Sequence, residues 1–163
     1  MLREAARKLL DERKVDLVIG FEQGTLPLRS TPCFIRSRDE VNRLIWGAFC
    51  ENNLARYLRK RSERVGIIAK GCDVRSLVGL IKEKQIPREQ VVIIGVPCRG
   101  MIDRKQVEIE LEGQEILEAK EVGEWVILKA DGLEKTINKD EFLHQSCKVC
   151  NHRNPVIYDI LIG

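Results

Sequence analysis

The period of the apolar positions changes along the chain, and each change predicts a different element. Leu2, Ala5, Ala6, Leu9 and Leu10 recur at three- and four-residue spacing in LREAARKLLDER, which predicts an amphipathic helix over residues 2–13. VDLVIGFE is a short apolar run and predicts a first strand; after the turn-rich EQGTLPLRSTP, CFIRS predicts a second. Helical spacing returns from Glu40 through VNRLIWGAFCENNLARYLRKR, with Val41, Leu44, Ile45, Ala48 and Phe49 on one face. Ser37 or Asp39 caps this helix, Gly47 weakens it, and Asn52-Asn53 is a place where it can divide in two.

Val65–Lys70 then predicts a third strand. Asp73 follows as a helix N-cap before VRSLVGLIKEKQ, where Val74, Leu77, Val78 and Ile81 share a face, and Val91–Val96 is a fourth strand. These strands are unbroken apolar runs separated by helical patterns, the mark of a parallel sheet covered on both faces. After residue 104 apolar and charged residues alternate, with turns at Gly113, Gly123 and Gly132, which predicts an antiparallel meander with one wet face. The expected architecture is α/β: a small, mostly parallel sheet with flanking helices over 15–104, a β meander over 105–143, and a Cys-rich segment with an apolar tail over 144–163. All of it forms a single domain, 1–163. No solenoid repeat or low-complexity segment interrupts it.

Composition narrows the classes of function. The 163 residues are 44% hydrophobic and 33% charged, which suits a soluble globular protein with a real core. A net charge of +3 with 5% aromatics argues against a nucleic-acid partner. The longest apolar runs, such as LIWGAF, fall far short of the roughly 20 residues of a membrane span. The charged start lacks the apolar core of a secretory signal, so a cytoplasmic location is expected. The abrupt stop after VIYDILIG reads as a truncation or a docking tail.

Six cysteines carry the chemistry. In a reducing compartment they are more often metal, cluster or redox groups than disulfides. Cys147-Lys-Val-Cys150 turns two thiolates toward one centre but supplies only half of a four-ligand site, so zinc, an iron–sulfur cluster and a redox dithiol all stay open. Cys98 is the best third ligand: it ends the fourth strand in GVPCRG, where Pro97 stiffens the turn and Gly95 and Gly100 let backbone approach a ligand. Cys72 opens a helix, where the dipole lowers a thiol pKa. Cys50 sits on the predicted helix near Asn52-Asn53, and either it or Cys72 is the remaining ligand. Cys33 reads as a small strand hydrophobe. His144 and His152 flank the C-x-x-C and keep a zinc site of two cysteines and two histidines in play. Lys70, Gly71 and Arg75 at one strand tip, with Arg99 at the next, are placed to hold phosphates of a flavin-type cofactor. The dinucleotide, Walker A, HExxH and G-x-S-x-G motifs are absent.

GVPC at a strand tip, AKGCD upstream and CKVC near the end resemble the beta-subunit family of the deazaflavin-coenzyme-reducing hydrogenases and related dehydrogenases. The chain is most similar to a short branch found in anaerobes as iron–sulfur electron-transfer proteins, whose members often continue into a ferredoxin-like portion. The resemblance implies a [4Fe-4S] cluster held by Cys98, Cys147, Cys150 and either Cys50 or Cys72. It also implies electron exchange with FAD or a deazaflavin, and a redox partner protein or the other subunits of an oxidoreductase; a homo-oligomer is a separate expectation. An electron-transfer subunit is thus expected rather than a stand-alone enzyme. The competing expectations are a zinc-stapled, non-enzymatic scaffold subunit and a flavin-dependent oxidoreductase without a cluster.

Overall fold

The computed structural model describes residues 1–163. Helix α1 (Leu2–Asp11) leads into strands β1 (Leu17–Gln23) and β2 (Ser30–Ile35). After an irregular stretch come β3 (Val65–Ala69), helix α2 (Gly71–Lys82), β4 (Val91–Gly95) and helix α3 (Arg104–Glu110). Strands β5 (Ile116–Val122), β6 (Trp125–Ala130) and β7 (Leu133–Asn138) follow, then a single-turn helix α4 (Gln145–Lys148) and strand β8 (Ile160–Leu161).

The main sheet has the order β2-β1-β3-β4-β8. Its β1, β3, β4 and β8 run parallel, and β2 pairs antiparallel to β1 at the edge. Every residue of β3 is buried, as the unbroken VGIIA predicts, because a central parallel strand has no wet face. The second sheet, β5-β6-β7, is the expected antiparallel meander. In β6, Val126, Leu128 and Ala130 are buried while Trp125 and Lys129 face out. The buried face packs with Val107 and Leu111 around α3, forming an apolar cluster separate from the main core.

Three elements differ from the sequence pattern. The predicted helix from Glu40 is absent; only short 3₁₀ turns form, at Asp39–Arg43 and Leu54–Leu58. Leu44 is extended, and Ile45 N–H donates to the β1 carbonyl of Phe21 at 2.8 Å, so tertiary pairing takes the amide a helix would have used. The side-chain pattern is still obeyed, because Val41, Leu44, Ala48, Leu54 and Leu58 are all buried. QVEIELEG, read as the start of the meander, instead lies largely in helix α3, capped by the Asp103 carboxylate, which accepts from Lys105 N–H at 3.1 Å. The apolar tail supplies β8: Ile94 and Gly95 pair with Ile160 and Leu161, and Asp159 accepts the Ile93 N–H at 2.6 Å.

Candidate functional site

The parallel strands β3 and β4 end side by side, with Ala69 paired to Gly95. Ligand sites in open parallel sheets form outside these carboxyl ends. Here the C-terminal segment folds back over them. Arg153 C=O accepts the Cys98 N–H at 2.8 Å, and His152 C=O passes so close to Gly71 that a Cβ there would meet it at 2.2 Å. Gly95 admits Pro155 and Tyr158 in the same way. Gly71 and Gly95 therefore make room for the chain's own C-terminal segment. Gly100 has φ +116°, which favours glycine, and packs on Leu143.

Between the strand tips and the C-terminal segment lies a cavity of about 370 Å³. Four cysteines line it: Cys72 at the start of α2, Cys98 in the loop after β4, and Cys147 and Cys150 around α4. The turn that places the last two is closed by Cys147 N–H and Lys148 N–H donating to His144 C=O at 2.8 and 3.0 Å. His152 N–H points at Cys150 Sγ, 3.4 Å away. The thiols share the cavity without three ligating side chains converging on a single-ion centre.

Burial pushes the Cys98 thiol up; the Gly100 N–H and the Lys70 ammonium pull it back, while the nearby Cys147 and Cys72 sulfurs add to the rise. Burial likewise raises Cys72, the Asp73 carboxylate adds to it, and Lys70 and the first N–H groups of α2 oppose. The helix-start lowering expected for Cys72 is thus present but outweighed by desolvation.

Other candidate residues fall elsewhere. Cys50 does not sit on a helix; it lies in a turn with no accessible surface, inside the main core, and does not line the cavity. Cys33 is a buried β2 residue whose thiol burial raises to about 11. His152 lines the cavity, but His144 is turned away to Glu51 at 3.2 Å and Asp103 at 3.6 Å. Lys70 is inaccessible and bound to Asp73, so its ammonium does not extend to an external phosphate. Arg75 lines the cavity with no hydrogen-bond or ion-pair partner. Arg99 pairs with Glu124 at 2.8 Å and lines a second hollow of about 260 Å³, walled also by Trp46, Glu121 and Lys139, that shares Cys98, Gly100 and Met101 with the first.

Sequence reasoning passed over Met101, Ser146, Asn151 and Arg153, which also line the cavity. It also took Asp73 for an N-cap. Asp73 is the third residue of α2 and accepts the Lys70 N–H at 3.2 Å. The Lys-x-x-Asp spacing at a strand-to-helix junction was the available signal.

Fold and cavity together define an open α/β protein with a thiol-lined site at the carboxyl edge of its parallel strands. The chain belongs to the coenzyme F420 hydrogenase/dehydrogenase beta-subunit family, whose model for the C-terminal part of that subunit matches residues 62–163. It is 23% identical to the F420-dependent formate dehydrogenase 1 subunit beta of Methanococcus maripaludis, over 95% of this chain and 44% of the relative. It is 25% identical to the F420-dependent formate dehydrogenase subunit beta of Methanocaldococcus jannaschii, over 95% of this chain and 45% of that protein. The chain thus spans less than half the length of these relatives. A chain of the F420-reducing [NiFe] hydrogenase complex from Methanosarcina barkeri shares the fold, with TM-score 0.66 and 15% identity over 91% of this chain and 57% of that one. No helix is long and apolar enough to cross a membrane.

Proposed function

We propose that the chain is an electron-transfer portion of an oxidoreductase beta subunit, with a [4Fe-4S] cluster on Cys72, Cys98, Cys147 and Cys150. One observation carries this: four thiols from three separated segments line one cavity whose wall includes Lys70, Arg75 and Arg153 and no carboxylate. Four thiolates around a cubane make an anion, and a basic, carboxylate-free wall suits one. When bound, the cluster supplies one-electron chemistry. The protein's residues position it: Gly71 and Gly95 let the tail close over the strand tips, and Gly100 N–H and Lys70 favour the thiolate of Cys98. The fourth ligand is Cys72 rather than Cys50, which is enclosed in the core. The electron partner is a flavin or deazaflavin centre in the same assembly, a class supported by the F420-dependent relatives.

Iron and sulfide analysis of anaerobically purified protein tests this. About four irons and as many sulfides per chain are expected. Cys72→Ser loses most of the iron, and Cys50→Ala keeps it. Colourless protein with one zinc and no sulfide would overturn the cluster, and full iron in Cys72→Ser with loss in Cys50→Ala would overturn the ligand assignment.

A further inference from the structure

The residues after α4 are held by hydrogen bonds more than by burial. From Val149 to Gly163 only Pro155 is buried, and Val149 and Val156 expose 69% and 73% of their surface. Two sets of bonds tie the segment to the main sheet. At its far end, Asp159 and Ile162 donate backbone N–H to the C=O of Ile93 and Gly95, both at 2.9 Å. The Asp159 carboxylate accepts from Ile93 N–H at 2.6 Å and from Arg88 at 2.7 Å. In the middle, Arg153 C=O accepts the Cys98 N–H at 2.8 Å, and its guanidinium donates to Arg99 C=O. A segment with little buried apolar surface and exposed hydrogen bonds opens at a fraction of the free energy that unfolds the sheet beneath it.

The cavity is divided between this segment and a firmer side. Val149, Cys150, Asn151, His152 and Arg153 form one continuous stretch of its wall. Cys72 and Cys98 stand on the strand-tip side, at the start of α2 and just after β4. Cys147 belongs with them, because its turn is anchored to the main body by His144 N–H donating to Met101 C=O at 3.0 Å and by the Ile102–Leu143 bridge. Resting on the cluster reading above, we propose that residues 149–163 are a latch coupled to the metal centre. The latch is released by local unfolding while the cavity is empty, and docks when Cys150 adds the fourth thiolate to three already in place. A centre that engages Cys150 only in the docked form shifts the segment toward docking. The coupling is reciprocal. Loosening the far end of the latch at Asp159, which is not part of the cavity wall, therefore weakens the hold on the centre.

The test compares the whole chain, loaded and metal-free, by hydrogen exchange read with mass spectrometry, with iron and sulfide measured on each sample. Peptides covering 149–163 exchange about tenfold faster in the metal-free form, while those covering β3 are unchanged. Asp159→Ala, loaded to full iron and sulfide, releases iron to a chelator about tenfold faster than wild type. Asp159→Asn, which keeps an acceptor for the Ile93 N–H, falls between the two and serves where Asp159→Ala does not fold. Val126→Ala weakens the separate apolar cluster of the meander and keeps the wild-type release rate, which general destabilisation would not do. Equal exchange of 149–163 in metal-free and fully loaded protein, or equal acceleration of iron release by Val126→Ala, overturns the inference alone. Wild-type protein without iron and sulfide overturns the cluster reading and this inference with it.

Discussion

Replacing Gly71 by alanine measures how tightly the C-terminal segment is clamped on helix α2. A Cβ at Gly71 would stand 2.2 Å from His152 C=O, 3.2 Å from the same carbonyl carbon and 3.3 Å from Asn154 C=O. All three are backbone atoms, so no side-chain rotation relieves the overlap. Overpacking of this kind costs about 1–3 kcal/mol, and the helical preference of alanine over glycine returns at most about 1 kcal/mol. The net expectation is a loss of about 1–2 kcal/mol. Gly79 lies in the same helix with nothing within 4 Å of its would-be Cβ. Gly79→Ala should therefore stabilise by about 0.5–1 kcal/mol. At roughly 2–4 °C per kcal/mol for a chain of this size, the two melting temperatures move in opposite directions by several degrees. Thermal and urea unfolding of both variants reads this directly. Gly71→Ala at or above wild-type stability would refute the claim that the tail is seated against α2.

Asp159→Ala removes the acceptor of the Ile93 N–H and the partner of Arg88, at 2.6 and 2.7 Å, and should destabilise by about 1–3 kcal/mol. Amide exchange should quicken at Ile93 while Ile67, inside β3, stays protected; equal protection in variant and wild type would count against β8 being pinned there. Cys33 gives a pH dependence whose sign is set by burial. The unfolded thiol ionises near 9.0 and the folded one near about 11, so the folded state keeps a proton that the unfolded state has lost. Stability present below pH 9 therefore falls between pH 9 and 11, by about 2–3 kcal/mol in total. Urea midpoints at pH 8 and 10.5 should decline less in Cys33→Ala, and an identical decline would rule out this origin.

Much of the site was legible before the fold because strand tips announce themselves. VGIIAKGC and VVIIGVPC are apolar runs that stop at a cysteine, and parallel strands of similar length end at the same edge. Cys72 and Cys98 thus share a cavity for a reason that periodicity already contains. Cys147 and Cys150 were legible as a pair through their spacing, but nothing in the spacing said where the pair would dock. Cys50 was misplaced because helical spacing over 41–58 describes which side chains are buried, and the backbone reached that burial without a helix. Helix α3 was missed because charged residues alternating with Val107, Ile109 and Leu111 mimic a strand, and the Asp103 cap decided the matter.

The sequence by itself determined the class of the main sheet, the meander, the burial pattern and the cysteines that end strands. These follow from local rules: apolar period, turn residues and the chain's inability to leave buried amides unpaired. Only the tertiary structure decided which sulfurs meet, because that depends on a fold-back of the last residues over strand ends formed some 60–90 positions earlier. It alone decided, too, that Lys70 turns inward to Asp73, Asn52 and Phe21 rather than outward to a phosphate. A lysine's charge does not tell it which way to turn; the carboxylate, carbonyl and ring that hold it are brought together by packing.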